Sequence, residues 1–137
     1  MIIELFSGIG HSLDPLDDEV IRIDFDPKTK PTICADVRYL PLRLGLKPNH
    51  LHGSPPCKYF STARARRYGL DMKGLGDSFE LVAAFFQAAD YLEAERIHLE
   101  TPAHGFLSRL FRVRLIIYRV HDYHHKPTNF YSSWRAL

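Results

Sequence analysis

The chain has 137 residues, 45% apolar and 25% charged, with nine prolines and eight glycines, the make-up of one globular domain rather than two. At this length roughly two-thirds of the extended-chain surface is buried on folding, so neither a disulfide framework nor a structural metal is needed. The two cysteines, Cys34 and Cys57, stand far apart and exclude a CxxC zinc or redox motif. No run approaches the roughly 18 apolar residues of a membrane span, and residues 1–6 lack the basic flank of a signal peptide. A cytoplasmic protein with no membrane partner is expected.

Residues 2–6, IIELF, form a short apolar run ended by SGIG, which reads as the strand, glycine turn and helix start of an α/β unit. Residues 20–25, VIRIDF, are the next strand, stopped by Asp26 and Pro27. Prolines 27, 31, 41 and 48 break up the following stretch into loops around a short strand at 32–35. A strand at 50–54 runs into Pro55 and Pro56, which fix the backbone as it leaves the sheet. From Gly76 to Ala94 apolar residues recur at helical spacing, so a helix with one buried face is expected there, capped by Asp77 or Ser78. A strand at 96–100, a short helix at 103–110, and β-rich runs at 113–120 and 128–134 complete the chain. Strands alternating with helices predict an α/β fold with a mostly parallel sheet and a C-terminal antiparallel strand pair, in one domain over 1–137.

The formal net charge of +2 is unevenly distributed. Residues 1–36 hold eight acids against three bases, residues 96–137 hold seven bases against two acids, and Lys58, Arg64, Arg66, Arg67 and Lys73 face only Asp71. Such basic segments suit a polyanion, although clustered Arg and Lys equally make an ordinary solvated face.

In an open α/β sheet the ligand sits beyond the carboxyl ends of the strands. There this chain places Ser7, Gly8 and Gly10, then Asp24 and Asp26, then Asp36, then residues 54–57, then Glu100. Singly each is weak: a GxG after a strand is as often a plain turn, and a strand-end acid is as often a cap. Asp24 and Asp26 compete for one ribose-binding role. Cys57, after two prolines and beside Lys58, has the setting of a thiolate nucleophile as well as that of a structural thiol; Cys34 reads as structural. Glu100 closes an apolar strand, where partial burial favours a protonated, hydrogen-bonding carboxyl, or else it caps a helix. His121, Asp122, His124 and His125 lack ordered ligand spacing, so no metal is expected.

The combination resembles the S-adenosylmethionine-dependent DNA cytosine-5 methyltransferases. ELFSGIGH at 4–11 is similar to their first motif, the loop under the methionine part of the cofactor, and IDFDP at 23–27 to the segment whose acid, here Asp24, holds the ribose. CADVRYLP at 34–41 resembles the segment whose aspartate, here Asp36, contacts the adenine amine. GSPPCKYFS at 53–61 resembles the proline-cysteine nucleophile motif and is the most specific match; LETPAHG at 99–105 resembles the ENV or ENP motif, with Glu100 in the glutamate's place. HHKPTNFYSSW at 124–134 is similar to a segment of phage-type members.

The resemblance implies a Rossmann-like class I methyltransferase fold and S-adenosyl-L-methionine as cofactor, bound by Phe6, Ser7, Gly8, Gly10, Asp24, Phe25, Asp36 and Pro55. It implies Cys57 and Glu100 as catalytic residues, with Ser61, Arg64, Arg66 and Lys126 on a DNA substrate that is single-stranded or flipped out of a duplex. The chemistry links these roles. Addition of a thiolate to carbon 6 of cytosine turns an inert carbon 5 into an enamine nucleophile, while a glutamate on ring nitrogen 3 and the exocyclic amine stabilises the developing charge. The chain departs from the family at Lys58, where glutamine is usual, at Thr101, where asparagine is usual, and in having no QxRxR segment; Arg112, Arg114 or Lys126 are the available substitutes. With no room for a target-recognition domain, a separate recognition subunit or a homodimer is expected. The alternatives are an inactive methyltransferase-like binding module, or methylation of RNA or a free pyrimidine nucleotide.

Overall fold

The computed structural model describes residues 1–9, 13, 19–102, 116–120 and 128–134, from residue 102 on by the backbone alone. Among the described residues seven strands form one sheet: β1 (Ile2–Leu5), β2 (Val20–Asp24), β3 (Ile33–Cys34), β4 (His50–Gly53), β5 (Arg96–Pro102), β6 (Ile116–Val120) and β7 (Thr128–Trp134), in the order β3-β2-β1-β4-β5-β7-β6. The first five in that order pair in parallel, and β7 runs against both of its neighbours. This is the expected mostly parallel sheet with an antiparallel pair at its end. The pair folds back so that β7, not β6, docks on β5.

Two helices are described, α1 (Thr62–Tyr68) and α2 (Met72–Leu92), with single 3-10 turns at Pro27–Thr29 and Val37–Tyr39. Gly74, Ser78, Val82, Phe85, Ala89 and Leu92 form the buried stripe of α2, three or four residues apart, as one helical face requires. The stripe packs on Ile3, Leu5, Leu51 and Leu99, all nearly or fully excluded from solvent, and these make the core with Ile23 and Phe60. Gly53 allows the close approach: a Cβ there would overlap the Phe85 ring.

α2 begins earlier than the apolar pattern suggested. Asp71, not Asp77 or Ser78, is its cap, accepting a 2.8 Å bond from the Gly74 N–H. Asp77 is exposed, and Ser78 is buried about two turns inside, its hydroxyl donating to the Gly74 carbonyl. Two glycines in the first turns hid this start, because glycine is a poor helix former. Glu93, in the left-handed conformation at φ 54°, stops the helix, its N–H closing on Ala89 and Asp90. α1, between Cys57 and α2, was not anticipated; Ser61 caps it and Gly69 ends it.

β5 continues two residues past Glu100, because β7 pairs along all seven of its residues. Glu100 therefore lies within the strand, opposite Phe130, and does not close it. Cys34 is exposed, not a buried structural thiol. It lies on a two-residue edge strand, and its thiol reaches only the Phe25 carbonyl at 3.4 Å. The short helix expected at 103–110, residues 113–115, and the His121, Asp122, His124 and His125 group lie outside the described residues.

Candidate functional site

The strand order reverses at β1, whose two neighbours are β2 and β4, and a cleft of about 410 Å³ opens beyond the carboxyl ends there. It is lined by Phe6 and Gly8 after β1, Asp24 and Phe25 at the end of β2, and Ala35 to Arg38 after β3. Ser54 and Pro56 after β4 and Leu81 of α2 complete the lining. A strand-order reversal leaves such a gap because the connections depart to opposite sides.

The backbone continues the sheet bonding one step into this edge. The Ser7 N–H reaches the Ile23 carbonyl, the Ser54 N–H the Leu5 carbonyl, and the Ala35 N–H the Asp24 carbonyl. Phe6 and Gly8 both adopt positive φ, 58° and 57°, so the chain turns sharply as it leaves β1. For Phe6 that conformation is strained, and strained backbone concentrates at functional sites.

Asp24 organises the turn. It is buried, and its Oδ2 accepts the Gly8 N–H at 2.9 Å while Oδ1 accepts the Asp26 N–H at 2.9 Å. Asp26 caps the Pro27–Thr29 turn through the Lys28 N–H, so geometry separates the two acids: Asp24 lines the cleft and Asp26 serves the next turn. Phe25, 71% exposed, offers an open ring at the rim. Asp36 caps the Val37–Tyr39 turn, and both of its oxygens bond Arg38, the shorter contact being 2.6 Å to Nη2. Hydrogen bonding to Arg38 holds the Asp36 carboxyl below its ordinary range and raises the Arg38 guanidinium. Arg38 also reaches Glu80 of α2 at 3.4 Å. The hydroxyl of Ser7 is buried with no hydrogen-bond partner among the described residues.

Of the residues expected around a cofactor, Phe6, Gly8, Asp24, Phe25 and Asp36 line the cleft. Ser7 lies buried between Phe6 and Gly8, Pro55 is buried while Pro56 takes the lining position, and Gly10 lies outside the described residues. Sequence reading placed Ser54 and Pro56 at the ligand-facing strand ends without giving them a cofactor contact, and missed Ala35, Val37, Arg38 and Leu81. The signal for Arg38 was present, since Asp-x-Arg after a strand is the spacing of a capping aspartate bonded to its own turn.

Cys57 follows the cleft residue Pro56, half-buried and packed on the core. Its carbonyl accepts the Phe60 N–H at 3.0 Å, and Phe60, fully buried against Phe79 of α2, anchors the loop. Glu100 is half-buried on β5. Because Gly53 and Leu99 are register partners, Glu100, still within β5, is level with the point at which the chain leaves β4 for the Cys57 loop. The Thr101 hydroxyl beside Glu100 is buried without a hydrogen-bond partner among the described residues.

Ser61 spends its side-chain oxygen on the Arg64 N–H at 3.4 Å. Arg64 is half-buried with its guanidinium 4.7 Å from the Tyr59 ring centroid, Arg66 is exposed, and Lys126 lies outside the described residues. The Lys58 ammonium lies over the Tyr59 ring at 5.4 Å.

The fold is that of solved methyltransferase structures. A proposed DNA-modification methyltransferase encoded within an E. coli prophage matches with a TM-score of 0.64 at 16% identity, over 97% of this chain and 46% of that one. A proposed RNA methyltransferase from Pyrococcus horikoshii matches with a TM-score of 0.60 at 11% identity, over 99% and 75% of the two chains. Thermoplasma acidophilum 1320 matches with a TM-score of 0.54 at 16% identity, over 99% and 79%. The chain thus spans just under half the length of the prophage protein. No protein-family model and no curated protein matches it. The class defined is a Rossmann-like α/β domain with its cleft at the strand-order reversal.

Proposed function

We propose that this chain is a methyltransferase catalytic domain that uses S-adenosylmethionine to methylate carbon 5 of cytosine in DNA, through a covalent adduct of Cys57. The observation that carries the reading is the convergence of Phe6, Gly8, Asp24, Phe25 and Asp36, from three successive strand ends, on one cleft of about 410 Å³. That volume is in the range of small-molecule sites. The donor set fits the cofactor: Asp24 keeps acceptor capacity beside its two backbone bonds, Phe25 presents a ring, and the Ser7 hydroxyl is buried without a hydrogen-bond partner among the described residues.

Bound there, the cofactor supplies an electrophilic sulfonium methyl group. Asp24 would hold the ribose hydroxyls and Phe25 would cover the adenine. Asp36 would take the adenine amine on the lone pairs that Arg38 leaves free. Cys57 adds its thiolate to carbon 6 of the base, the displaced π pair makes carbon 5 nucleophilic, and Glu100 holds nitrogen 3 and the exocyclic amine. Carbon 5 would take the methyl group as the methyl–sulfonium bond breaks and its electron pair stays on that sulfur. A base or water would then remove the carbon 5 proton, the 5,6 double bond would re-form, and the bond from carbon 6 to the Cys57 sulfur would break to return the thiolate.

Two measurements test this. Calorimetric titration of S-adenosylmethionine should show binding that weakens at least tenfold, about 1.4 kcal/mol, in Asp24→Ala. DNA carrying 5-fluorocytosine, whose carbon 5 cannot lose its substituent as a proton, should be trapped on the wild type in the presence of cofactor and not on Cys57→Ala. Absence of both trapping and methyl transfer to cytosine DNA would sink the reading. Transfer to RNA alone would keep Cys57 chemistry and change the acceptor.

A further inference from the structure

Just beyond Cys57 the chain builds a ladder of alternating aromatic rings and cations that the cleft does not use. Tyr59 lies against the first turn of α2, where a Cβ at Gly74 would overlap its ring, so the bare backbone of Gly74 seats it. The Arg64 guanidinium stacks over Tyr59 at 4.7 Å and stands 5.9 Å from the Tyr68 ring, while Arg67 covers Tyr68 at 5.2 Å. Residues 64, 67 and 68 are spaced to share one face of α1. Such stacking holds extended cations in place before any ligand arrives.

Two further features turn the ladder into a surface. Tyr68 is 68% exposed, and Leu70 and Met72, in the turn that follows, are exposed as well. Over residues 58–73 five bases stand against one acid, Asp71, whose Oδ1 is already bonded to the Gly74 N–H. A charged loop explains the arginines without explaining three large exposed apolar side chains among them. An alternation of flat apolar faces and fixed cations matches a polymer that alternates flat bases and phosphates.

We infer that this surface binds single-stranded DNA, with phosphates held by Lys58, Arg64, Arg66 and Arg67 and a base stacked on Tyr68. It rests on the reading above in taking DNA as the acceptor, and adds the state of the strand. Duplex DNA offers phosphates to the cations but keeps its base faces stacked, so Tyr68 has a partner only on an unpaired strand. α1 begins five residues after Cys57, so a strand held there lies next to the nucleophile's loop. The target base then needs no extraction from a helix.

The test is fluorescence anisotropy with a labelled oligothymidine of about 12 nucleotides, within the range of single-strand sites, and a thymine–adenine duplex of equal length. Neither contains cytosine and no cofactor is added, so Cys57 chemistry is not involved. The single strand should bind at least tenfold tighter than the duplex. Tyr68→Ala should lose about tenfold, Tyr68→Phe should bind like the wild type, and Arg67→Gln should flatten the salt dependence. Thermal melting confirms that each variant is folded. Equal or tighter duplex binding, unchanged binding by Tyr68→Ala, or binding of polyglutamate as tight as that of the oligonucleotide would each overturn the inference. Failure to bind DNA while 5-fluorocytosine DNA still traps Cys57 overturns this inference alone; strand binding without trapping or transfer overturns the methyl-transfer reading alone.

Discussion

At Gly53 a missing side chain sets the distance between α2 and the sheet. The residue ends β4 under Phe85, a ring with no solvent exposure, and an added methyl group would have to displace ring carbons that are packed on every side. Gly53→Ala should therefore lower stability by about 1–3 kcal/mol, the ordinary cost of overpacking, read as a fall in the urea midpoint with unchanged slope. Phe85→Leu in the same chain should recover part of the loss. Asp24 is the other residue on which local order depends, because its two oxygens satisfy one N–H group in the turn after β1 and one in the turn after β2. Asp24→Asn keeps one oxygen acceptor and puts a donor opposite the second N–H, so amide exchange at Gly8 or Asp26 should rise markedly. The place of Asp24 and Asp36 at the cleft was legible because it follows from position at a strand end. Arg38 was legible only as the partner of its own capping aspartate, and Leu81 was not legible, since a place at the cleft depends on how α2 packs against the 3-10 turn.

At the scale of elements, strands were easier to read than helix starts. The strand at 128–134 was legible to the residue, and β1, β2 and β4 to within one, because proline, glycine or aspartate punctuates each apolar run. α2 was legible as a buried stripe, but its first turns are glycine-rich and its true cap lies outside the periodic segment. The two cap assignments give opposite expectations. Asp71→Ala should destabilise by about 1 kcal/mol, the usual loss of an N-cap acceptor, whereas Asp77→Ala should stay within about 0.5 kcal/mol as an exposed change away from any cap. Chemical denaturation of both variants checks this, and a larger loss at Asp77 would place the helix start where the apolar pattern alone put it.

Across the whole molecule the two faces of the sheet differ. The face toward α2 is apolar, as parallel sheets generally are, but register places Arg22, Glu4, His52 and His98 side by side on the other, with His50 and Arg96 in the next row. Arg22 and Glu4 form an ion pair at 3.4 Å, and His50 Nδ1 meets His98 Nε2 at 3.2 Å, one ring donating and the other accepting. The alternation His-Leu-His in β4 was visible in the sequence, but its meaning depends on which strand lies alongside, and strand order is a tertiary choice. The consequence is a dependence of stability on pH. Burial, reinforced by His98, pushes His52 down to about 4, and burial with His50 and Arg96 lowers His98. A histidine with a depressed value in the folded state is protonated first in the unfolded chain. Its contribution is therefore complete above the ordinary value near 6.5 and declines as pH falls toward 4. For His52 the full loss is about 3 kcal/mol, and His98 acts with the same sign. Urea midpoints measured from about pH 7 down to pH 4.5 should fall in the wild type, and the fall should be shallower in His52→Leu, which has no proton to bind there. A wild type and variant that lose stability in parallel would mean that His52 is not the group that titrates.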